Sequence, residues 1–140
     1  MNPIVRNILA VIGGIIAWIA TSLAIIKLGM LIIPLPEGII PGDLESLKAN
    51  MHLLQTKHFI VPFLDHSLGS VVGAFVAAKI AASRKMTFAL VIGFLHLLGG
   101  IFAAFIIPAP VWFIVLDLVV AYVPAAWLGG KLGGGSKANE

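Results

Sequence analysis

Apolar residues fill four blocks of the chain, at residues 4–33, 59–82, 86–107 and 111–130, and polar or proline-bearing stretches separate them. A helix needs about 20 apolar residues to cross the hydrocarbon core of a bilayer, and each block reaches that length. The pattern predicts an all-α, polytopic membrane protein with a single membrane domain built as a four-helix bundle. Arg6 ahead of an apolar run, with small residues at Ala17 and Ala20, raises the alternative of a cleaved signal peptide. The run continues through Leu23 to Ile33, past the length of a signal core, so an uncleaved first span is expected.

Residues 34–58 form the long connection. Pro34, Pro36 and Pro41 open it with residues suited to turns. Its second half has helical periodicity: Asp43 is a candidate N-cap, and Leu44, Leu47, Met51 and Leu54 share one side while Glu45, Lys48, Asn50 and His52 fall elsewhere. The expectation is a short amphipathic helix lying at the membrane surface, with His52 and His58 solvated. The links at 83–85 and 108–110 are tight, which makes consecutive spans antiparallel neighbours. The Gly-rich tail, 131–140, reads as flexible.

Small residues set the expected packing. Steps of four from Asp65 give Gly69, Gly73, Ala77 and Ala81, and from His66 they give Ser70, Ala74, Ala78 and Ala82. Ridges of this kind let helices approach closely inside a bilayer. Asp117 heads a similar ridge of Ala121, Ala125, Gly129 and Gly133, and His96 heads Gly100 and Ala104. Spans two and four also match at one offset, with Leu64-Asp65 against Leu116-Asp117, Gly73-Ala74 against Ala125-Ala126, and Lys79 against Lys131. Spans one and three share Gly13-Gly14 with Gly99-Gly100 and Ile32–Pro36 with Ile106–Pro110, but at different offsets. Two parallel helical hairpins about an axis along the membrane normal would explain this, and coincidence in an apolar sequence would explain it equally. Pro124 is expected to kink the fourth span.

Composition narrows the function classes. With 60% hydrophobic and 11% charged residues in 140, a soluble domain is excluded. The net charge of +3 comes from few, unclustered charges, so no nucleic-acid partner is expected. Cysteine is absent, which removes disulfides, thiolate metal ligands and thiol nucleophiles. No serine-nucleophile or nucleotide motif is present, so the chain does not read as an enzyme. Arg6, Lys79, Arg84, Lys85, Lys131 and Lys137 lie at one end of the bundle and Lys27, Lys48 and Lys57 at the other. The positive-inside rule then places both termini in the cytoplasm. Trp112 and Trp127 fall near opposite ends of the last span, as interfacial aromatics do. The partners expected are the lipid bilayer and either a second copy or another membrane protein.

Depth gathers the candidate chemistry into one layer. At 1.5 Å rise per residue, Asp65, Asp117 and Lys27 each lie about 9 Å inside the loop end of their spans, His66 beside them and His96 about 6 Å deeper. Ionisable groups at such depth face the bundle interior and find partners. A proton- or cation-binding cluster of Asp65, His66, His96 and Asp117, with Lys27 as counter-charge, is the functional reading. The packing reading stands beside it: an Asp65 stabilised at a helix N-terminus and reaching water, a snorkelling Lys27, and an Asp–His bond that fixes the bundle. By residue type, His66 and His96 also suit axial ligation of b-type haem. Zinc is open to the same histidines and aspartates, but no spacing motif supports a metal site.

The pattern Asp-His-x-x-Gly-x-x-x-Gly-Ala at 65–74, with Pro-Val-Trp-Phe-x-x-x-Asp-Leu at 110–118, resembles a family of small four-span bacterial integral membrane proteins of uncharacterised activity. The resemblance implies the fold and a bacterial inner (cytoplasmic) membrane location, and no activity. Small multidrug exporters are similar in length and span count but rely on a glutamate in the first span, where this chain has Lys27. Fluoride channels carry a Gly-rich, arginine-containing signature that is missing here. Two function classes follow: a non-enzymatic accessory or interaction protein, suggested by the small-residue ridges, and a small proton- or cation-coupled carrier, suggested by the polar layer.

Overall fold

The computed structural model describes residues 1–135. They form six α-helices: α1 (Pro3–Ile32), α2 (Leu44–Ala49), α3 (Ile60–Ile80), α4 (Lys85–Ile106), α5 (Val111–Val120) and α6 (Val123–Leu132). α1, α3 with the 3₁₀ turn before it, α4, and the α5–α6 pair are each long and apolar enough to cross a membrane, the mark of a multi-pass membrane protein. No strand is present among the described residues. The all-α four-span bundle is thus what the apolar blocks predict.

Local chemistry places the helix ends. Asn2 caps α1 by accepting from the Ile4 N–H at 2.8 Å, and Pro3 occupies the first helical position, where a missing N–H costs nothing. The start of α1 then holds the end of α3: Arg6 Nε donates to the Ile80 carbonyl at 2.6 Å, and Asn7 Oδ1 accepts from the Ala82 N–H at 2.9 Å. Arg84, at φ 48°, makes the left-handed step that turns the chain into α4.

The fourth span is broken, not merely kinked. Pro124 has no N–H to offer the carbonyl one turn earlier, so α5 ends at Val120 and α6 begins at Val123. The break corrects the predicted ridge. Ala121, Gly129 and Gly133 are buried, but Ala125 is only half-buried and its neighbour Ala126 takes the core position. Likewise α2 stops at Ala49, shorter than its periodicity suggests, because Asn50 leaves the helix and turns its side chain back to the carbonyls of Gly38 and Ser46. Asp43 does cap α2, accepting from the N–H groups of Glu45 and Ser46. The tail also departs from expectation. Residues 131–132 continue α6, and Gly133 and Gly135 are buried with backbone bonds back to Gly129 and Gly130. Residues 136–140, including Lys137, lie outside the described residues.

α3 is the centre of the bundle, packed on α1, α4 and α6. Its small ridges do what their spacing predicts. Gly73 lets α1 approach until a Cβ there would sit 2.8 Å from the Gly14 carbonyl oxygen, and Gly69 lies against Trp18 and Ser22. Ala74, Ala78, Ala89 and Ala126 form the buried cluster where α3, α4 and α6 meet, with Met86 against it. Ala77 is fully buried as well. At the offset that relates spans two and four, Asp65 and Asp117, Ala74 and Ala126, and Ala81 and Gly133 are buried alike, whereas Gly73 is buried and Ala125 only half-buried. Lys79 over Phe75 and Lys131 over Trp127 make the same cation–π contact one turn apart. The two-hairpin symmetry does not extend to the whole bundle. α3 packs on α4, but α6 has no comparable packing on α1, and Gly99 faces open space where Gly13 meets Ile80.

Candidate functional site

The first turn of α3 carries Pro62, and the next turn turns Asp65 and His66 inward, where α5 delivers Asp117 and the α5–α6 break delivers Tyr122. α4 closes the group with His96. Gly100, one turn beyond His96, makes the space: a Cβ there would run into the Tyr122 ring.

Asp117 is the hub. Its carboxylate accepts from His66 Nδ1 at 2.9 Å through both oxygens and from the Tyr122 hydroxyl at 2.7 Å. The Tyr122 oxygen also lies 2.9 Å from His66 Nδ1, and the two rings stack with centroids 5.4 Å apart. Fixing Nδ1 against Asp117 directs Nε2 of His66 to the other side, where Asp65 Oδ2 stands at 3.9 Å, beyond hydrogen-bond length. His96 belongs to a second, deeper pair. Its Nδ1 shares a 2.9 Å hydrogen bond with Ser70 Oγ, Trp18 stacks on it at 4.0 Å, and its ring meets that of Tyr122 edge-on at 4.9 Å. Charge-assisted bonds of the Asp117 type contribute about 1.5–3 kcal/mol each.

Above this group, towards the long loop, lies a cavity of about 350 Å³. Asp65, His66, Asp117 and Tyr122 belong to its lining. Its other walls are almost wholly apolar, with Met30 from α1, Phe113 from α5, Ala103 from α4, and Leu47, Met51 and Leu54 from the loop. The volume falls in the range of small-molecule sites, which are typically apolar with a few placed polar groups. His58, expected to be solvated, also lines the cavity, its Nδ1 accepting from the Gln55 N–H at 2.9 Å.

The structure therefore brings together Asp65, His66, His96 and Asp117 but not Lys27. Lys27 is exposed, and the ion pairs among the described residues do not include it. α1 lines the cavity with Ile26 and Met30, and Lys27, which lies beside that face, is exposed and not part of the lining, as a long charged side chain that reaches the interface is. Lys27→Gln is expected to change the stability of the purified protein by no more than the scatter of surface substitutions, about 0.5 kcal/mol. A large loss in a detergent melt would restore it to the site.

Asp65 likewise departs from the water-reaching carboxylate of the packing reading. It is 8% exposed, and its Oδ1 has no hydrogen-bond partner among the described residues. A haem between His66 and His96 meets a steric objection. Their ring centroids are 5.7 Å apart with the Tyr122 ring packed against both and Trp18 stacked on His96, which leaves no slot for a macrocycle. Among the described residues, no three His, Asp or Glu side chains are grouped as a metal ion would require. Sequence reasoning missed Tyr122, Ser70 and Trp18 as site residues. The chain's single tyrosine, set in an apolar run five residues after an aspartate, was the available signal.

Compared with protein-family models, with curated proteins and with solved structures, the chain matches none of them.

Proposed function

We propose that the protein is a small proton-coupled carrier of the bacterial inner membrane, with cytoplasmic termini and a substrate cavity opening outward. The observation that carries this reading is the convergence of Asp65, His66, Asp117 and Tyr122, from two separate spans, at the polar side of one apolar cavity. A histidine held by a carboxylate on one nitrogen, with its other nitrogen towards a second carboxylate, is a unit that takes up and releases a proton without a large rearrangement. Placed beside a ligand cavity, it links occupancy to protonation. The lysines and arginines support the orientation: Arg6, Lys79, Arg84, Lys85 and Lys131 lie at the end carrying the termini.

The accessory or interaction reading draws on the small-residue ridges, and these are engaged within the chain. Gly69 and Gly73 receive α1, Gly129 and Gly133 receive α3, and Gly100 receives Tyr122. With the ridges on α3 and α6 filled from within the chain, the carrier reading is preferred. We expect liposomes containing the purified protein and a trapped pH-sensitive dye to show protein-dependent proton movement when a mixture of small lipophilic amines, alcohols and carboxylates is added outside. The Asp117→Asn and His66→Gln proteins, shown to be folded, are expected to lose at least about tenfold of that rate, as removal of a positioned proton-transfer group does. Equal rates in parent and variants, or no rate above empty liposomes, would sink the proposal.

A further inference from the structure

We propose that Asp65 is the recognition group for an organic monocation, an ammonium carried on a compact apolar body that fills the cavity. The inference deepens the carrier reading by naming its substrate class, and it begins from an unmatched group. Asp65 is more than nine-tenths buried and lines the cavity, and its Oδ1 is the buried side-chain oxygen or nitrogen that finds no hydrogen-bond partner among the described residues. A buried polar atom without a partner costs free energy, and an ionised one costs far more. Asp117 escapes that cost through His66 and Tyr122, whereas Asp65 has only the 3.9 Å approach of His66 Nε2.

Charge balance indicates what would complete the site. Among the described residues the cavity lining contains two carboxylates and no lysine or arginine, and Lys27 is exposed outside it. His66 and Tyr122 are taken up by Asp117, which leaves Asp65 without a hydrogen-bonded partner among the described residues. The titratable groups around it are His66 on its own helix, Asp117 and Tyr122 from the last span, His96 from α4 and His58 from the 3₁₀ turn. α1 brings only apolar side chains such as Met30. A single positive charge in the cavity compensates the Asp65 carboxyl, and an anion would be repelled by both aspartates. A metal ion is a poorer fit, because no three ligating side chains are grouped here. The rest of the ligand meets Met30, Met51, Leu54, Ala103 and Phe113, walls that reward apolar area and offer no second polar anchor. Methionines suit ligands of varied shape.

Three probes of one shape test this: cyclohexylmethylamine, cyclohexylmethanol and cyclohexanecarboxylate, titrated calorimetrically into the full-length protein in nanodiscs near neutral pH. The amine is expected to bind at least about tenfold more tightly than the alcohol, and the carboxylate least. Asp65→Asn is expected to bring amine and alcohol within about threefold of each other, and Asp65→Glu to keep the amine preference. An alcohol that binds the parent as tightly as the amine overturns the inference without any variant, as does an Asp65→Asn protein that still prefers the amine. If Asp65→Asn does not fold, the three-probe comparison on the parent decides the matter alone. Run beside the liposome assay, the two readings separate. Amine binding without proton movement removes the carrier and leaves the cation site. Proton movement driven by the alcohol or carboxylate and not by the amine removes the cation site and leaves the carrier.

Discussion

Gly129→Val is expected to be among the most damaging single substitutions in the chain, lowering stability by about 3 kcal/mol. α6 lies on α3 so closely that a Cβ at residue 129 would run into the Val71 carbonyl oxygen and approach the Ala74 Cβ at 3.1 Å. A flexible side chain could swing aside from such a contact, but a helical carbonyl cannot. The whole of α6 must lift off α3, which opens the Ala74–Ala78–Ala126 cluster and moves Tyr122 at the head of α6. Lipid supplies no hydrophobic force to bring the helices back, because association within a bilayer rests on close packing itself. Gly99→Ala is the matched control. A Cβ there meets nothing within 4 Å, so its effect is expected to be the ordinary gain of alanine over glycine in a helix, about 0.5–1 kcal/mol. Melting temperatures of the two variants in the same mild detergent check the pair. Equal shifts would mean that the α3–α6 contact does not carry the fold.

The fold was readable because its determinants are local. Span length, apolar runs and turn residues are properties of consecutive residues, and a bilayer punishes any other use of them. The ridges on α3 were readable too, since a step of four defines a helix face before anything packs on it, and Gly69, Gly73 and Ala77 are buried as that step predicts. Prediction failed where a feature depends on more than one segment. The exchange of Ala125 for Ala126 follows from where Pro124 breaks the helix, and a helical count that runs straight through residue 121 cannot show it. Lys27 lies at the right depth but is exposed outside the cavity lining, because depth is fixed by residue count and exposure by neighbours not yet placed. Tyr122 joined the site only when the break turned it under Gly100. The cavity belongs to no single segment, for its walls come from all four spans and the loop.

Asp117→Ala is expected to cost about 3–5 kcal/mol, the range for removing one partner of a buried charged pair. Asp117 is 5% exposed and takes hydrogen bonds from both His66 and Tyr122, so its loss leaves two polar groups facing an apolar cavity. Asp117→Asn keeps oxygen and shape and should lose less, because the Tyr122 hydroxyl still finds an acceptor. Detergent melts of the two variants check that order, and a loss below about 1 kcal/mol for Asp117→Ala would show the pair to be wet or dispensable. A triple variant, His66→Leu, Asp117→Leu and Tyr122→Phe, removes the network as a whole and not one partner of it. Apolar replacement of a complete buried network is often close to neutral, so this protein is expected to melt nearer the parent than Asp117→Ala does. Stability and function then part company. A fold that tolerates an apolar floor gives no structural reason to keep His66, Asp117 and Tyr122 in the bilayer, which leaves the proton and the ligand as what they serve. If the triple variant instead falls as far as Asp117→Ala and liposomes show no proton movement from the parent, the network is a packing device.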